Sequence, residues 1–168
     1  MRGLDNELYI ILLIISNVIA ILQLIASIKW PRIARLTFFL LFAWAGWINW
    51  KTAKQSPGDY LEYADLTWIS WYASFIKGWF AQHILLAVGF IATGQALIAV
   101  SMLFKGRIYT IGCVGAIAFL LAILPLGVGA GFPATAIMAI ACFILLKKQP
   151  AKFLWQSDKL SIARNGLS

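Results

Sequence analysis

HILLAVGFIATGQALIAVSMLF, residues 83–104, is an apolar run whose only side-chain amide, Gln95, lies near its middle. At 1.5 Å of rise per residue, roughly 20 such residues cross the ~30 Å hydrocarbon core of a bilayer. The run predicts a membrane-spanning helix, which makes the chain an integral membrane protein. An amide left unpaired in hydrocarbon costs on the order of a few kcal/mol, so neighbouring helices must cover Gln95.

The whole composition agrees with this stretch. Of the 168 residues 62% are hydrophobic and 12% charged, against roughly 45–50% and about 25% in a soluble domain. No polar block is long enough to fold separately, so residues 1–148 read as one membrane domain and residues 149–168 as a basic cytoplasmic tail. The net charge of +8 would point to nucleic acid in a soluble protein. Here the basic residues sit in short clusters beside apolar runs, which is how membrane topology is encoded, and no nucleic-acid partner is expected. One histidine excludes intrachain bis-histidine haem ligation, and two cysteines are too few for a disulfide scaffold or a four-cysteine metal site.

Outward from the central run, four more spans are predicted. The first, residues 8–28, follows an acidic leader with Asp5 and Glu7 and lacks a small-x-small cleavage site, so it reads as a retained anchor rather than a secretion signal. It ends at Lys29-Trp30-Pro31-Arg32, where proline breaks the helix. The second, residues 33–50, closes on WAGWINWK, with Trp44, Trp47 and Trp50 forming an aromatic ridge at the far interface. Lys105-Gly106-Arg107 turns the chain into a span over 108–126. The breakers between Pro125 and Pro133 then make a hairpin into a last span over 130–146. The expected fold is therefore all-α, with five transmembrane helices: a four-helix bundle core plus an N-terminal helix.

Placing the amino terminus outside assigns Lys29, Arg32, Arg35, Lys105, Arg107, Lys147, Lys148, Lys152, Lys159 and Arg164 to the cytoplasm, leaving Arg2, Lys51, Lys54 and Lys77 outside. That is the positive-inside pattern for a multi-pass protein whose carboxyl terminus is cytoplasmic.

Residues 60–80 are neither a span nor an ordinary loop. Leu61, Ala64, Trp68, Trp71, Phe75 and Trp79 repeat at helical spacing, and Thr67, Ser70, Ser74 and Lys77 repeat on another face. This predicts an amphipathic interfacial helix between the second and third spans, bent or ended near Gly78, that acts as a lid. Asp59, Glu62 and Asp65 at its start read either as the mouth of a path for a cation or polar substrate or, more simply, as a solvated helix start whose dipole favours negative charge.

Several residues carry candidate chemistry. His83, beside Gln82 and one turn after Trp79, either anchors the third span at the headgroups or hydrogen-bonds a quinone carbonyl, with Trp68, Trp71, Tyr72, Trp79 and Gln95 supplying ring surface and a polar handle. Asn17, mid-span in the first helix, is a candidate interhelical partner for Gln95; the alternative is that each bonds to a backbone carbonyl or to water. Small residues four apart, among them Gly112 with Ala116 and Thr135 with Ala139, read as helix packing rather than as a substrate site. Cys113 and Cys142 are near-symmetric about the hairpin and should lie at similar depth, either as a redox pair or as two small buried residues. No catalytic cluster, nucleotide loop or zinc motif is present, and no charge lies in the centre of any span.

RLTFFLLFAWAGWINWK (35–51) and VGFIATGQALIAVSMLFKGR (88–107), separated by a surface segment and followed by two further spans, resemble the DoxX-like membrane proteins, a four-span bundle. The resemblance covers residues 33–148 and leaves the first span as an addition. It implies a protein of a bacterial or archaeal inner membrane, in some members tied to quinone-linked sulfur oxidation or to respiratory complexes. Gln95 stands where many members carry glutamate, so no acid/base role is carried over to it. Three functions follow as expectations. The first is a non-catalytic accessory or scaffold subunit binding lipids or partner helices. The second is a quinone-interacting redox subunit with its site near the outer face, and the third is a small-solute transporter.

Overall fold

The computed structural model describes residues 7–156, so Arg2 and Asp5 at one end, and Lys159 and Arg164 of the tail, lie outside the described residues. The chain is mostly helical over this range, with no strand among the described residues. Helix α1 runs Glu7–Lys29 and α2 runs Pro31–Gln55; α3 (Tyr63–Leu66) and α4 (Ser70–Phe75) are short; α5 (Ile84–Ser101), α6 (Arg107–Ile123) and α7 (Ala134–Lys148) complete the set. Four segments, Tyr9–Lys29, Pro31–Gln55, Ile84–Ser101 and Arg107–Ala130, are long and apolar enough to cross a membrane. Ile14, Leu22, Phe90, Leu97 and Ile111 are among the apolar side chains that cover their outer surfaces, as a lipid solvent requires.

Boundaries shift from expectation where local chemistry overrides the apolar count. Helix α2 continues past residue 50 because nothing breaks it before Ser56-Pro57-Gly58. Helix α6 stops at Ile123, and a 3₁₀ turn over Leu124–Ala130 follows, with Gly127 at φ 65 and Gly131 at φ 72, in the left-handed region that a side chain resists. The span expected over 130–146 is accordingly a 15-residue helix that starts only after Pro133.

The five long helices close a ring, in which each packs on the next in the order α2, α5, α6, α7, α1 and back to α2. Small residues set the approach between α2 and α5: a Cβ on Gly46 would stand 3.0 Å from the Ala92 carbonyl oxygen. Between α5 and α6, a Cβ on Gly112 would overlap Ser101 Oγ at 1.6 Å. Inside the ring Phe38, Phe42, Met102, Tyr109, Leu120 and Leu145 form the core. Gln23 staples α1 to α2, donating to the Ala34 carbonyl at 2.9 Å and accepting from the Thr37 hydroxyl at 2.6 Å.

One end of the ring is welded by basic side chains. Arg35, 4% exposed, donates to the carbonyls of Met102 (3.0 Å), Phe104 (2.6 Å) and Lys152 (3.2 Å). The first two lie just past the end of α5, where carbonyls lack helical partners, and the third belongs to the segment after α7. Arg32 reaches the Leu154 carbonyl at 2.8 Å and Lys148 the Ile28 carbonyl. Residues 149–156 of the expected tail therefore lie as a strap across the helix ends, and Phe104, Phe153 and Trp155 pack on one another there. Lys29, Arg32, Arg35, Lys105, Arg107, Lys147, Lys148 and Lys152 share this end. The acidic residues within 7–156, Glu7, Asp59, Glu62 and Asp65, lie at the opposite end, where Tyr9 donates to Glu62 and Lys77 pairs with Asp65.

The segment expected as one interfacial helix is a cap of four pieces: a 3₁₀ turn (Pro57–Glu62), α3, α4, and a π turn (Ile76–Phe80) kinked at Gly78. Thr67 supplies the break between α3 and α4. Its hydroxyl donates to the Pro125 carbonyl at 2.7 Å and accepts the Ile69 amide at 3.3 Å, a local turn that competes with helix continuation. Most of the expected apolar face is exposed, with Trp71 67% exposed, and so are Ser70, Ser74 and Lys77 of the polar face; Thr67, 2% exposed, and Ala64 turn inward.

A capped cavity as the candidate functional site

Beneath the cap, between α2, α5, α6 and α7, lies a cavity of about 500 Å³. Its roof is the inner face of the cap, Tyr60, Tyr63, Tyr72, Phe75, Ile76 and Phe80; its walls include Phe42, Ala45, Asn49, Gln95, Phe119, Thr135 and Met138. Among the described residues no Asp, Glu, Lys, Arg or His lines it. That volume and mixture suit a drug-sized lipophile with a few polar contacts.

Three contacts seat the roof. Thr67 holds the Pro125 carbonyl, and the Tyr72 hydroxyl donates to the Ala122 carbonyl at 2.6 Å. Gly129 lies so close to the Tyr63 ring that an added Cβ would be 2.6 Å from it.

The polar wall is a relay. Asn49 Nδ2 donates to Gln95 Oε1 at 2.8 Å, and the Tyr60 hydroxyl donates to Asn49 Oδ1 at 3.0 Å. Withdrawal from water pushes the Tyr60 phenol up to about 12, with the neighbouring Tyr63 and Asp59 acting in the same direction. Burial raises Tyr63 as well. Both phenols stay neutral at physiological pH, and Tyr60 stays a donor. The Thr135 hydroxyl is buried in the wall with no hydrogen-bond partner among the described residues.

The candidate residues divide between two places. Gln95 and Tyr72 line the cavity, while His83, Trp68, Trp71 and Trp79 lie outside it. His83 caps the start of α5, its Nδ1 2.9 Å from the Trp79 carbonyl oxygen and its ring stacked on Trp79 at 4.7 Å. Trp71, Phe75, Trp79 and His83 thus form a continuous ladder of stacked rings along the cap. Trp68 packs edge-on against Phe132 of the hairpin at 5.0 Å.

Asn17 does not meet Gln95. Its amide donates to the Leu13 carbonyl one turn back, at 2.8 Å, because the ring places α2 and not α1 beside α5. Gln95 takes Asn49 instead, which sits inside the WINWK motif, where its tryptophan neighbours obscured it. Thr135, assigned to packing by its spacing from Ala139, lines the cavity, with its hydroxyl oxygen buried. Cys113 and Cys142 do come together, as free buried thiols with Cys142 Sγ 3.6 Å from the Cys113 carbonyl oxygen. Among the described residues no group of three or more His, Cys, Asp or Glu side chains is placed to hold a metal ion. Compared with family models, curated proteins and solved structures, the chain matches none.

Proposed function

We propose that the protein is a small non-catalytic membrane subunit that holds an uncharged lipophilic molecule in the capped cavity, in the manner of an accessory or scaffold component of a larger complex. The observation that carries this reading is the lining itself: apolar and aromatic walls, neutral hydrogen-bonding groups, and neither a charged side chain nor a cysteine or serine nucleophile. Holding a neutral lipophile needs those parts, whereas acid/base or nucleophilic chemistry needs others. Quinone is one candidate occupant, and membrane lipid is another.

The proposal includes an orientation. The basic end faces the cytoplasm and the capped end faces outward, with the amino terminus outside, the carboxyl terminus inside and α7 completing a fifth crossing through the hairpin residues before it. Segregation of the basic residues supports this, as does the aromatic ladder, since Trp side chains favour the membrane interface. A DoxX-like origin in a bacterial or archaeal inner membrane fits the same arrangement.

Extraction of the full chain in native nanodiscs, followed by mass spectrometry of bound small molecules, tests the function. A neutral lipophile should accompany the wild-type protein at near-stoichiometric amount and be lost from Ala45→Phe, which fills the cavity from α2. Equal recovery from both proteins, or none from either, removes the proposal.

A further inference from the structure

The basic end of the ring satisfies its hydrogen bonds without neutralising its charge. Arg32 and Arg35 donate to the carbonyls of Leu154, Met102, Phe104 and Lys152, Lys105 to that of Ala151, and Lys148 to that of Ile28. A carbonyl pairs a donor but carries no formal charge, so these contacts leave the cations uncompensated. Among the described residues the acidic side chains lie at the opposite end, where Lys77 pairs with Asp65. Cations gathered at one end repel one another, and an external anion that enters among them relieves the repulsion.

The charges converge at one corner. The Lys148 bond to the Ile28 carbonyl brings the end of α7 against the end of α1, next to Lys29, and the 2.8 Å bond from Arg32 Nη2 to the Leu154 carbonyl draws the strap over the same turn. Lys29 is exposed and has no acceptor among the described residues. Arg32 uses one guanidinium nitrogen on Leu154 and Lys148 one N–H on Ile28, so donors remain on both. Trp30, between Lys29 and Arg32 across Pro31, and Trp155, next to Leu154, are 55% and 61% exposed, as rings are at the level of lipid headgroups. One turn further in, the packed pair α1 and α7 presents exposed Ile25, Ile28, Ile140 and Phe143, with Lys147 Nζ 5.4 Å from the centre of the Phe143 ring. A cationic rim beside an apolar flank matches a molecule that is anionic at its head and apolar in its body.

We propose that this corner, at the far end from the capped cavity, binds an anionic phospholipid, its phosphate held by Lys29, Arg32 and Lys148 and its acyl chains lying on α1 and α7. A free phosphate or an acidic peptide offers the charge without the chains, whereas the exposed rings and the apolar flank favour a lipid.

The test is a titration of the purified full chain, delipidated in maltoside detergent, with binding read by native mass spectrometry and by thermal unfolding. The probes are dioctanoyl-phosphatidylglycerol, dioctanoyl-phosphatidylcholine, glycerol phosphate and poly-glutamate. Phosphatidylglycerol should bind about tenfold more tightly than phosphatidylcholine, and added salt should narrow that gap. Lys29→Gln, at an exposed side chain, should weaken phosphatidylglycerol about fivefold and leave the lipid-free unfolding temperature unchanged. Lys29→Gln with Lys147→Gln should weaken it further, while Lys51→Gln with Lys54→Gln, which removes the same charge from the opposite end, should not weaken it. Equal binding of the two lipids overturns the proposal. So does a Lys29→Gln/Lys147→Gln protein that binds phosphatidylglycerol as wild type does, or no worse than the Lys51→Gln/Lys54→Gln protein, since the effect would then be absent or one of net charge. Stabilisation by glycerol phosphate or poly-glutamate equal to that by phosphatidylglycerol also overturns it, and assigns the corner to free anions or to an acidic protein.

Discussion

The two ends of the helix ring are built by opposite means. At the basic end a buried guanidinium joins α2, the end of α5 and the strap through three charge-assisted hydrogen bonds. At the capped end, neutral hydroxyls of Thr67 and Tyr72 and one close glycine contact seat a roof that is broken into four pieces. Hydrogen bonds to charged groups contribute about 1.5–3 kcal/mol and neutral ones about 0.5–1.5. The basic end is therefore the fixed end, and the capped end is the one able to open over the cavity. A cavity roofed at its weaker end is arranged for exchange through that end.

Breaking the fixed end should have the largest effect. Arg35→Leu strands three carbonyls and should cost about 3 kcal/mol. Thermal unfolding in detergent would read the loss, and proteolysis near residues 149–156 should accelerate as the strap lifts. Unaltered stability would contradict the division between the ends.

Gly129→Val tests the roof from below. An added side chain meets the Tyr63 ring at 2.6 Å, and such overpacking costs about 1–3 kcal/mol. Hydrogen exchange should rise across residues 57–80 while the core of α6 and α7 near Cys113 and Cys142 stays protected; loosening throughout would show that cap and ring are one unit.

A smaller effect is expected of Tyr72→Phe, which deletes one neutral bond worth about 1 kcal/mol. Stability should change little, but a bound lipophile should leave several-fold faster, as measured by displacement kinetics. An unchanged off-rate would place the exit elsewhere.

A further effect, confined to alkaline conditions, concerns pH. Folding raises the Tyr60 phenol from its ordinary value of 10 to about 12, so the folded state holds its proton more tightly than the unfolded chain. The associated stabilisation is complete below pH 10 and is lost as pH rises from 10 to about 12. Tyr63, also raised, acts in the same sense. Tyr60→Phe should flatten, without abolishing, the decline of cap protection over that window, and an identical profile in the variant would count against the Tyr60 relay.

How far the chain could be read before its fold was known depends on the range of each interaction. The end of α1 at Lys29 and the start of α2 at Pro31 were legible because helix breakers act locally, whereas the second span, expected to close at residue 50, runs on to Gln55. The break at Thr67 was not legible, because a threonine in a helical repeat interrupts it here through a hydroxyl bond to Pro125, 58 positions away. The spacing of residues 60–80 suggested two faces of one helix, but the break at Thr67 leaves aromatic and polar members alike exposed and buries one residue of each set, Ala64 and Thr67. His83 and the tryptophans stood out by residue type, and they form the outer ledge instead of the cavity wall.

Membrane residence, helical content and the clustering of basic residues between the runs were determined by the sequence alone, since apolar length and charge position are one-dimensional properties. The tertiary structure decided which helices are neighbours, and with that everything about the site. Asn49 finds Gln95 across 46 positions only because α2 and α5 meet at Gly46, and Asn17 misses it only because α1 sits beside α7 and α2. Pairing of this kind depends on the rotation of each helix about its axis and on its place in the ring, and in lipid small-residue contacts and scarce polar groups set both.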